Sequence, residues 1–423
     1  MTTFWCEWAW LGGDRPEPGV EILVSGDRFA EIAHPTAPRP DAVRLSGLTV
    51  PGIANVHSHA FHRALRGRTH SGTGSFWTWR DRMYELALDL DPDSYRGLAT
   101  QVFQEMLASG YTAVGEFHYL HHQPGGAAYA DPNAMSRAIL EAAAETGIRI
   151  TLLDALYLFG GLDQDYVAPQ GAQRRYSDGS AEAWTERLDA LHVASPTQRV
   201  GAAIHSVRAV DPEAMAIVGD YARRRALPLH IHLSEQPAEN DRCLAVHGVT
   251  PTMLLDSVGL VDENLTAVHA THLDEADISR LGAGRATACF CPTTERDLAD
   301  GIGPSAALAA AGARLCVGSD SHAVIDPLEE LRAVELNQRL ATLTRGNHSV
   351  PDLLTAGTVN GYRALGWDGG RIERGSLADL VTISIREDVA PEHILATAIF
   401  AGARCDVTHT FVGGSLVYQN SQG

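Results

Sequence analysis

Three histidines lie within six residues of the stretch "ANVHSHAFHRAL": His57, His59 and His62. His57 and His59 are alternate residues, so in a β-strand both imidazoles point to the same face and can bind one metal ion. Two core histidines satisfied by backbone groups would show the same spacing, and the H-x-H pattern alone favours that simpler interpretation. His62 lies outside the alternation and requires a different role.

Ionisable side chains also lie near the ends of other predicted strands. His205, His232, His269 and Asp320 each lie at or close to the C-terminal end of an apolar stretch. Imidazole nitrogens and carboxylate oxygens are ligands that Zn²⁺ and Fe²⁺ accept. A site made of His57, His59, His232 and Asp320 would leave room for a water. This pattern therefore favours a catalytic metal site over isolated core histidines.

Eight apolar stretches predict the strands that would position these residues. They are 48–58, 112–119, 148–158, 199–206, 227–234, 265–272, 286–292 and 313–320. Helical stretches separate them, and this alternation over roughly 270 residues predicts a parallel sheet with right-handed crossovers. Eight such units close most simply into an α/β fold of the (β/α)8 TIM-barrel type, whose active sites lie at the C-terminal rim. An open, doubly wound sheet is the alternative.

The two chain ends have a different pattern of short strands and turns. We expect residues 1–49 and 372–423 to form one small β-sandwich domain beside a barrel spanning residues 50–371.

Composition limits the classes of function. The formal net charge of −19 argues against binding nucleic acid, although a local arginine cluster still allows an anionic small-molecule substrate. No apolar run reaches the length of a membrane span, and the six cysteines do not form a disulfide-scaffold pattern. We expect a cytoplasmic protein. All 33 basic residues are arginine, and there is no lysine.

Several motifs resemble those of the amidohydrolase superfamily: "PGIANVHSHAF", "HIHLSEQ", "VHATH" and "VGSDSH", followed by the tail "GRIERGSLADLVTIS". More narrowly, "SFWTWRDRMY", "GYTAVGEFHYLHH" and "HSVRAV" resemble the formiminoglutamate deiminases, which act in histidine degradation. The resemblance runs from about residue 48 to the C-terminus.

The superfamily resemblance implies that His57, His59, His232 and Asp320 are metal ligands. Many superfamily members bridge two metals with a carboxylated lysine, and this chain has none. The resemblance therefore implies one divalent ion, Zn²⁺ or alternatively Fe²⁺, as in the superfamily's deaminases.

The resemblance also implies a reaction, in which a metal-bound hydroxide attacks the amidine carbon of N-formimino-L-glutamate and releases N-formyl-L-glutamate and ammonia. Asp320 would accept a proton from water, Glu235 would shuttle protons to the amidine nitrogen, and His269 would stabilise the tetrahedral intermediate.

Residues matching the family's substrate contacts are Arg80, Tyr119, His205 and Arg208. Arginine suits a substrate with two carboxylates, because its planar fork binds them bidentately. His62 departs from the pattern, because similar deiminases have glutamine there; we expect His62 to contact substrate and note that histidine, unlike glutamine, can carry charge. Arg296 is a second departure, an added cation near the seventh strand.

Two alternatives stay open at this point. One is a superfamily deaminase of an aminopurine-like or aminopyrimidine-like ring, and the other is a catalytically silent metal-binding protein. The resemblance also implies a homodimer.

Overall fold

The computed structural model describes residues 1–69, 74–193, 195–386 and 388–420. Its strands are β1 (Thr2–Ala9), β2 (Glu17–Ser25), β3 (Arg28–Ala33), β4 (Val43–Pro51), β5 (Ile53–Ser58), β6 (Tyr111–His118), β7 (Arg149–Leu156), β8 (Gly161–Leu162), β9 (Tyr166–Val167), β10 (Gln198–Ser206), β11 (Leu229–Leu233), β12 (Leu265–His269), β13 (Thr287–Phe290), β14 (Arg314–Val317), β15 (Leu380–Ile383), β16 (Val407–Val412) and β17 (Ser415–Gln419).

The α-helices are α1 (Phe76–Asp89), α2 (Pro92–Ser109), α3 (Ala134–Thr146), α4 (Ala181–Asp189), α5 (Pro212–Arg225), α6 (Pro237–His247), α7 (Pro251–Ser257), α8 (Glu275–Ala283), α9 (Pro292–Asp297), α10 (Ser305–Ala311), α11 (Pro327–Thr342), α12 (Val350–Thr355), α13 (Gly361–Ala364) and α14 (Ile394–Ala401).

Eight parallel strands form the predicted barrel, in the order β5-β6-β7-β10-β11-β12-β13-β14. A parallel bridge between Ser58 and Asp320 joins the first strand to the loop after the last and closes the ring. Every residue of β6 and of β7 is buried, because side chains pack both inside the barrel and against the surrounding helices. The (β/α)8 prediction is confirmed.

Both chain ends pair in a seven-stranded sheet of order β17-β16-β15-β4-β1-β2-β3, which flanks the barrel. The sheet joins the ends through antiparallel pairing of β15 with β4, where Thr382 lies opposite Thr49. The expected pairing of the chain ends is therefore confirmed, whereas the predicted domain boundaries stay a prediction.

The predicted strand 48–58 is in fact two strands, separated at Gly52. A Cβ atom at Gly52 would lie 2.4 Å from both Thr112 Oγ1 and Tyr362 OH, so only glycine fits this crossing. The chain leaves the flanking sheet at β4 and enters the barrel at β5 within one residue.

Among the helices of the described ranges, none combines the length and apolarity that a membrane span needs.

Candidate active site

The barrel places the predicted site residues together at the C-terminal ends of its strands, around a cavity of about 370 Å³. Ten of the eleven predicted residues line this cavity: His59, His62, Arg80, Tyr119, His205, Arg208, His232, Glu235, His269 and Asp320. The eleventh, His57, is fully buried, and its Nε2 lies 3.1 Å from Nε2 of His232. The structure fixes these positions; the roles of the residues stay predictions.

Four distances among the predicted ligand atoms are short enough for these atoms to bind one metal ion. His232 Nε2 lies 3.1 Å from His57 Nε2 and 3.3 Å from His59 Nε2. Asp320 Oδ1 lies 3.4 Å and 3.5 Å from the same two histidine nitrogens. Ligand atoms about 2.0–2.1 Å from one zinc ion, at angles of about 90–120° to each other, lie roughly 2.9–3.6 Å apart, and such angles leave a fifth position for water. The distances in this cluster therefore match a single small dication.

Backbone carbonyls fix the orientation of two of these imidazoles. His59 Nδ1 donates to the Phe117 carbonyl and His232 Nδ1 to the His205 carbonyl, each at 2.8 Å. Both Nε2 atoms therefore present lone pairs to each other at 3.3 Å, an arrangement that repels unless a cation lies between them. Burial lowers the pKa of both imidazoles well below the usual range, so both are neutral, as ligands must be. The donor set fits a divalent ion.

The backbone of Asp320 is bound to the backbones of two predicted ligand histidines. Its backbone N–H donates to the His57 carbonyl at 2.9 Å, and its carbonyl accepts from His59 N–H at 3.1 Å. Burial opposes ionisation of Asp320, but the hydrogen bond and charge interaction with His57, with further help from His269, hold its pKa below the usual range. Asp320 is therefore a carboxylate at neutral pH.

The backbone at this rim is locally strained. Of the nine non-glycine residues with left-handed φ in the described ranges, five lie at or just beyond the ends of strands that carry site residues: Ser234, His269, Ala270, Asp320 and His322. Such conformations persist only where the surroundings enforce them, and they concentrate at functional sites.

Glu235 follows Ser234 directly, beyond the end of β11. Its Oε1 lies 3.7 Å from His269 Nε2, and its Oε2 lies 3.7 Å from an Arg208 nitrogen. Burial raises the pKa of Glu235 above the usual range, although the charges of His269 and Arg208 oppose that shift. A glutamate with a raised pKa holds a proton more readily than an ordinary carboxylate, which suits a residue that carries and releases protons.

His269, at the end of β12, lies among three carboxylates. Nε2 faces Glu235 at 3.7 Å and Asp320 Oδ2 at 3.9 Å, and Nδ1 faces Glu295 at 3.5 Å. Burial opposes its protonation, but the charges of the Glu235, Asp320 and Glu295 carboxylates raise the pKa of His269 to about 10. The charge of a bound dication would oppose protonation of His269 and lower its pKa.

Two arginines line the cavity, and they differ in whether a carboxylate neutralises them. Arg208 donates from Nε to Glu239 at 2.7 Å, so a buried carboxylate neutralises it. Arg80 has no carboxylate partner among the described residues, and its buried Nε lacks a hydrogen-bond partner there. Its guanidinium lies 4.5 Å from the Trp77 ring centroid and 5.4 Å from that of Tyr84. Arg80 is thus a cation held by aromatic rings and available to an anion.

His62 lines the cavity and contacts Tyr119, with Nε2 and OH 2.9 Å apart. Burial lowers the pKa of His62 to about 3, so this residue is neutral at pH 7. Histidine differs from glutamine in being able to carry charge, but burial keeps His62 neutral here. Hydrogen-bonding capacity remains, and glutamine would supply it equally.

Arg296 lies away from the cavity. Its guanidinium bonds to Glu329 at 2.7 Å and is half exposed, so it forms a surface ion pair. Arg296 is a cation near the seventh barrel strand, as the sequence indicates, but it lies on α9, outside the lining of the cavity.

Sequence reasoning missed Glu239 and most of the aromatic wall. Tyr84, Tyr157, Phe159 and Tyr176 line the cavity beside the predicted residues. Glu239 is the third residue of α6 after Pro237, a position where a glutamate ordinarily signals only a helix start. Its burial and its bond to Arg208 distinguish it, and neither is visible in one sequence.

Comparison with known proteins gives four findings. The profile of the Amidohydrolase family matches residues 48–417. Formimidoylglutamate deiminase of Pseudomonas aeruginosa is 37% identical over 419 residues, covering 95% of this chain and 92% of that protein. A 5-methylthioadenosine/S-adenosylhomocysteine deaminase of Natronomonas pharaonis is 30% identical over 408 residues, covering 95% of this chain and 87% of that protein. The crystal structure of an amidohydrolase from Brucella melitensis has a TM-score of 0.89 at 31% identity, covering 98% of this chain and 94% of that one.

Proposed function

Because this chain belongs to the amidohydrolase family and is a hydrolase of C–N bonds, we propose that it converts N-formimino-L-glutamate and water into N-formyl-L-glutamate and ammonia. In cells this would be a step of histidine degradation. The observation that carries the proposal is the pair of cavity arginines. Arg80 has no carboxylate partner among the described residues, and Arg208 presents the end of its fork to the same cavity as the metal-ligand cluster.

The substrate has an amidine at one end and two carboxylates at the other. The guanidinium groups of Arg80 and Arg208 are suited to bind the carboxylates. This arrangement directs the amidine carbon toward His269 and Glu235, beside the four metal ligands. The aromatic wall excludes water from the substrate, which strengthens each of these interactions.

Members of this family use a divalent metal, and we propose that the ion here is Zn²⁺, with Fe²⁺ as the alternative that the same ligands accept. When bound by His57, His59, His232 and Asp320, such an ion supplies Lewis-acid activation of water near neutral pH.

The chain's own residues then move the protons. Asp320 is a carboxylate and accepts a proton from water through Oδ2, the oxygen that faces His269. Water oxygen bonds to the amidine carbon, and His269 stabilises the charge of the tetrahedral adduct. Glu235 delivers its own proton to the terminal nitrogen as the adduct forms, and the proton held by Asp320 then reaches the same nitrogen. The bond from carbon to that nitrogen breaks and ammonia leaves, while the hydroxyl proton of the adduct returns to Glu235 and the carbon keeps the oxygen as a formyl group.

Product analysis tests the reaction. Zinc-loaded protein incubated with N-formimino-L-glutamate should release one ammonia per substrate and leave N-formyl-L-glutamate, identified by mass spectrometry. Formation of glutamate with formamide instead would show cleavage of the other C–N bond and would contradict the assignment of Glu235 to the terminal nitrogen.

A second candidate is deamination of a purine-like ring. Tyr84, Tyr157, Phe159 and Tyr176 offer surfaces on which a ring can stack, and the Natronomonas relative is named as a deaminase of adenosine derivatives. This candidate leaves the two cavity arginines without a role, which is why we rank it second.

Two further proposals concern the cellular location of the protein and its partners. We propose a cytoplasmic location, in keeping with six cysteines that are all free thiols. The proposed partners are the anionic small-molecule substrate and a second copy of the chain in a homodimer.

A further inference from the structure

We propose that Glu239 is a positioning residue that links the carboxylate-binding arginine to the catalytic glutamate. The inference rests on the proposed function, because it takes Arg208 as a carboxylate site and Glu235 as the proton carrier. Glu239 lies at the start of α6, is 1% exposed, and does not line the cavity.

One carboxylate holds two loops at once. Glu239 Oε2 accepts from Arg208 Nε at 2.7 Å, and Oε1 accepts from the Ser234 backbone N–H at 2.9 Å. Arg208 belongs to the loop after β10, and Ser234 to the loop after β11. Both loops are therefore bound to the same buried carboxylate.

The bond to Ser234 sets the direction of Glu235. Ser234 has a left-handed backbone, with φ of 52°, and such a conformation needs support from its surroundings. The support comes from both sides of the residue, because its N–H donates to Glu239 and its carbonyl accepts from His272 N–H at 3.0 Å. A change at Ser234 would turn the Glu235 side chain away from His269.

The bond to Arg208 sets the direction of the guanidinium. With Nε bound to Glu239, the NH1 and NH2 end of the fork is left for the substrate. Glu239 also neutralises Arg208, so Glu235, with its Oε2 3.7 Å from NH2, does not have to do so. Without Glu239, the Arg208 charge would draw Glu235 out of the position from which it reaches His269.

Glu239→Gln tests the link with little change in shape. An amide has an NH2 donor in place of one carboxylate oxygen, so whichever N–H group faced that oxygen, of Ser234 or of Arg208, loses its acceptor. We expect kcat on N-formimino-L-glutamate to fall about 10-fold or more and KM to rise about 10-fold or more. Glu213→Gln is the matched control, because Glu213 also lies in the first turn of a helix but is exposed and away from the cavity; it should change neither constant.

Substrates that lack one carboxylate separate positioning from general damage to the fold. N-formimino-4-aminobutyrate lacks the α-carboxylate, and N-formimino-L-2-aminobutyrate lacks the γ-carboxylate. Arg208→Gln identifies the carboxylate that Arg208 binds. The rise in KM caused by this substitution should disappear with the substrate that lacks that carboxylate. The KM penalty of Glu239→Gln should disappear with the same substrate, while its kcat penalty should persist, since the latter acts through Glu235. Equal penalties in KM for all three substrates would overturn the inference.

A second variant and a binding measurement test the inference even where the Glu239→Gln protein folds poorly. Glu239→Asp keeps both acceptor oxygens and should retain at least several-fold more activity than the glutamine variant; equal loss in the two variants would overturn the link. Calorimetry with glutarate measures carboxylate binding by Arg208 without turnover, and the affinity should fall about 10-fold in Glu239→Gln and less in Glu239→Asp. Wild-type protein that binds glutarate but releases no ammonia refutes the proposed function alone, whereas active wild type with unaffected variants refutes the role of Glu239 alone. Wild type that does neither refutes both.

Discussion

Replacing Arg80 with methionine separates substrate recognition from stability more cleanly than any other change in the cavity. Arg80 has no ion-pair partner among the described residues, so its loss leaves no buried carboxylate unsatisfied. Arg208 differs, because its removal would strand Glu239 in the interior. The Arg80→Met effect should therefore fall on the substrate alone.

The size of the effect follows from the contacts. A hydrogen bond to a charged group is worth about 1.5–3 kcal/mol, which corresponds to a loss of roughly 10- to 100-fold in kcat/KM. Stability should change much less, because the contact between the Arg80 guanidinium and the Trp77 ring contributes only about 0.5–1 kcal/mol. A shift in Tm of less than about 3 °C is expected.

The assay is steady-state ammonia release from N-formimino-L-glutamate by zinc-loaded protein, together with thermal unfolding. Arg82→Met is the matched control, since Arg82 lies on the same helix but forms an exposed pair with Glu85 at 2.9 Å; it should leave kcat/KM unchanged. Unchanged kcat/KM in Arg80→Met would refute the assignment. An equal loss with N-formiminopropylamine, which has no carboxylate, would refute it as well.

Three further changes test other parts of the site and fold. Glu235→Gln should keep the bound metal and lose ammonia release by about 10²-fold or more, measured by metal analysis and steady-state kinetics, and full activity would exclude Glu235 as the proton carrier. His62→Gln should keep kcat/KM within a few-fold and leave the pH profile unmoved, because His62 is already neutral and glutamine can still bond to Tyr119; a displaced profile would contradict this. Asp154 is fully buried against Arg187; burial opposes its ionisation, but the Arg187 charge lowers its pKa to about 2. The folded pKa lies below the ordinary value of about 3.9, so this pair stabilises the fold above about pH 4 by roughly 2 kcal/mol and the contribution is lost as the pH falls toward 2. Urea unfolding between pH 5 and 2.5 should therefore show a shallower loss of stability for Asp154→Asn than for wild type, and equal slopes would exclude the pair as a source of acid sensitivity.

The barrel and its rim were predictable because they depend on local patterns. Alternating strands and helices gave the eight-stranded ring, and ionisable residues at strand ends gave the position of the site. His57 and His59 converge as their spacing requires, with their ring centroids 4.6 Å apart.

Other features depend on contacts between distant segments and could not be predicted. The change of sheet at Gly52 depends on Thr112 and Tyr362, which approach the glycine from elsewhere in the chain. The neutrality of His62 depends on how completely the barrel buries it, and the role of Arg296 depends on Glu329. Glu239 was missed for the same reason, since its two partners belong to two different loops.

Substrate discrimination is the decisive measurement. With zinc-loaded protein under one set of conditions, kcat/KM for N-formimino-L-glutamate should exceed that for 5-methylthioadenosine by at least about 10³-fold, because a site built to hydrogen-bond a substrate's polar groups rejects molecules that lack them. Deamination of 5-methylthioadenosine without release of ammonia from N-formimino-L-glutamate would contradict the proposal and favour the purine-like candidate.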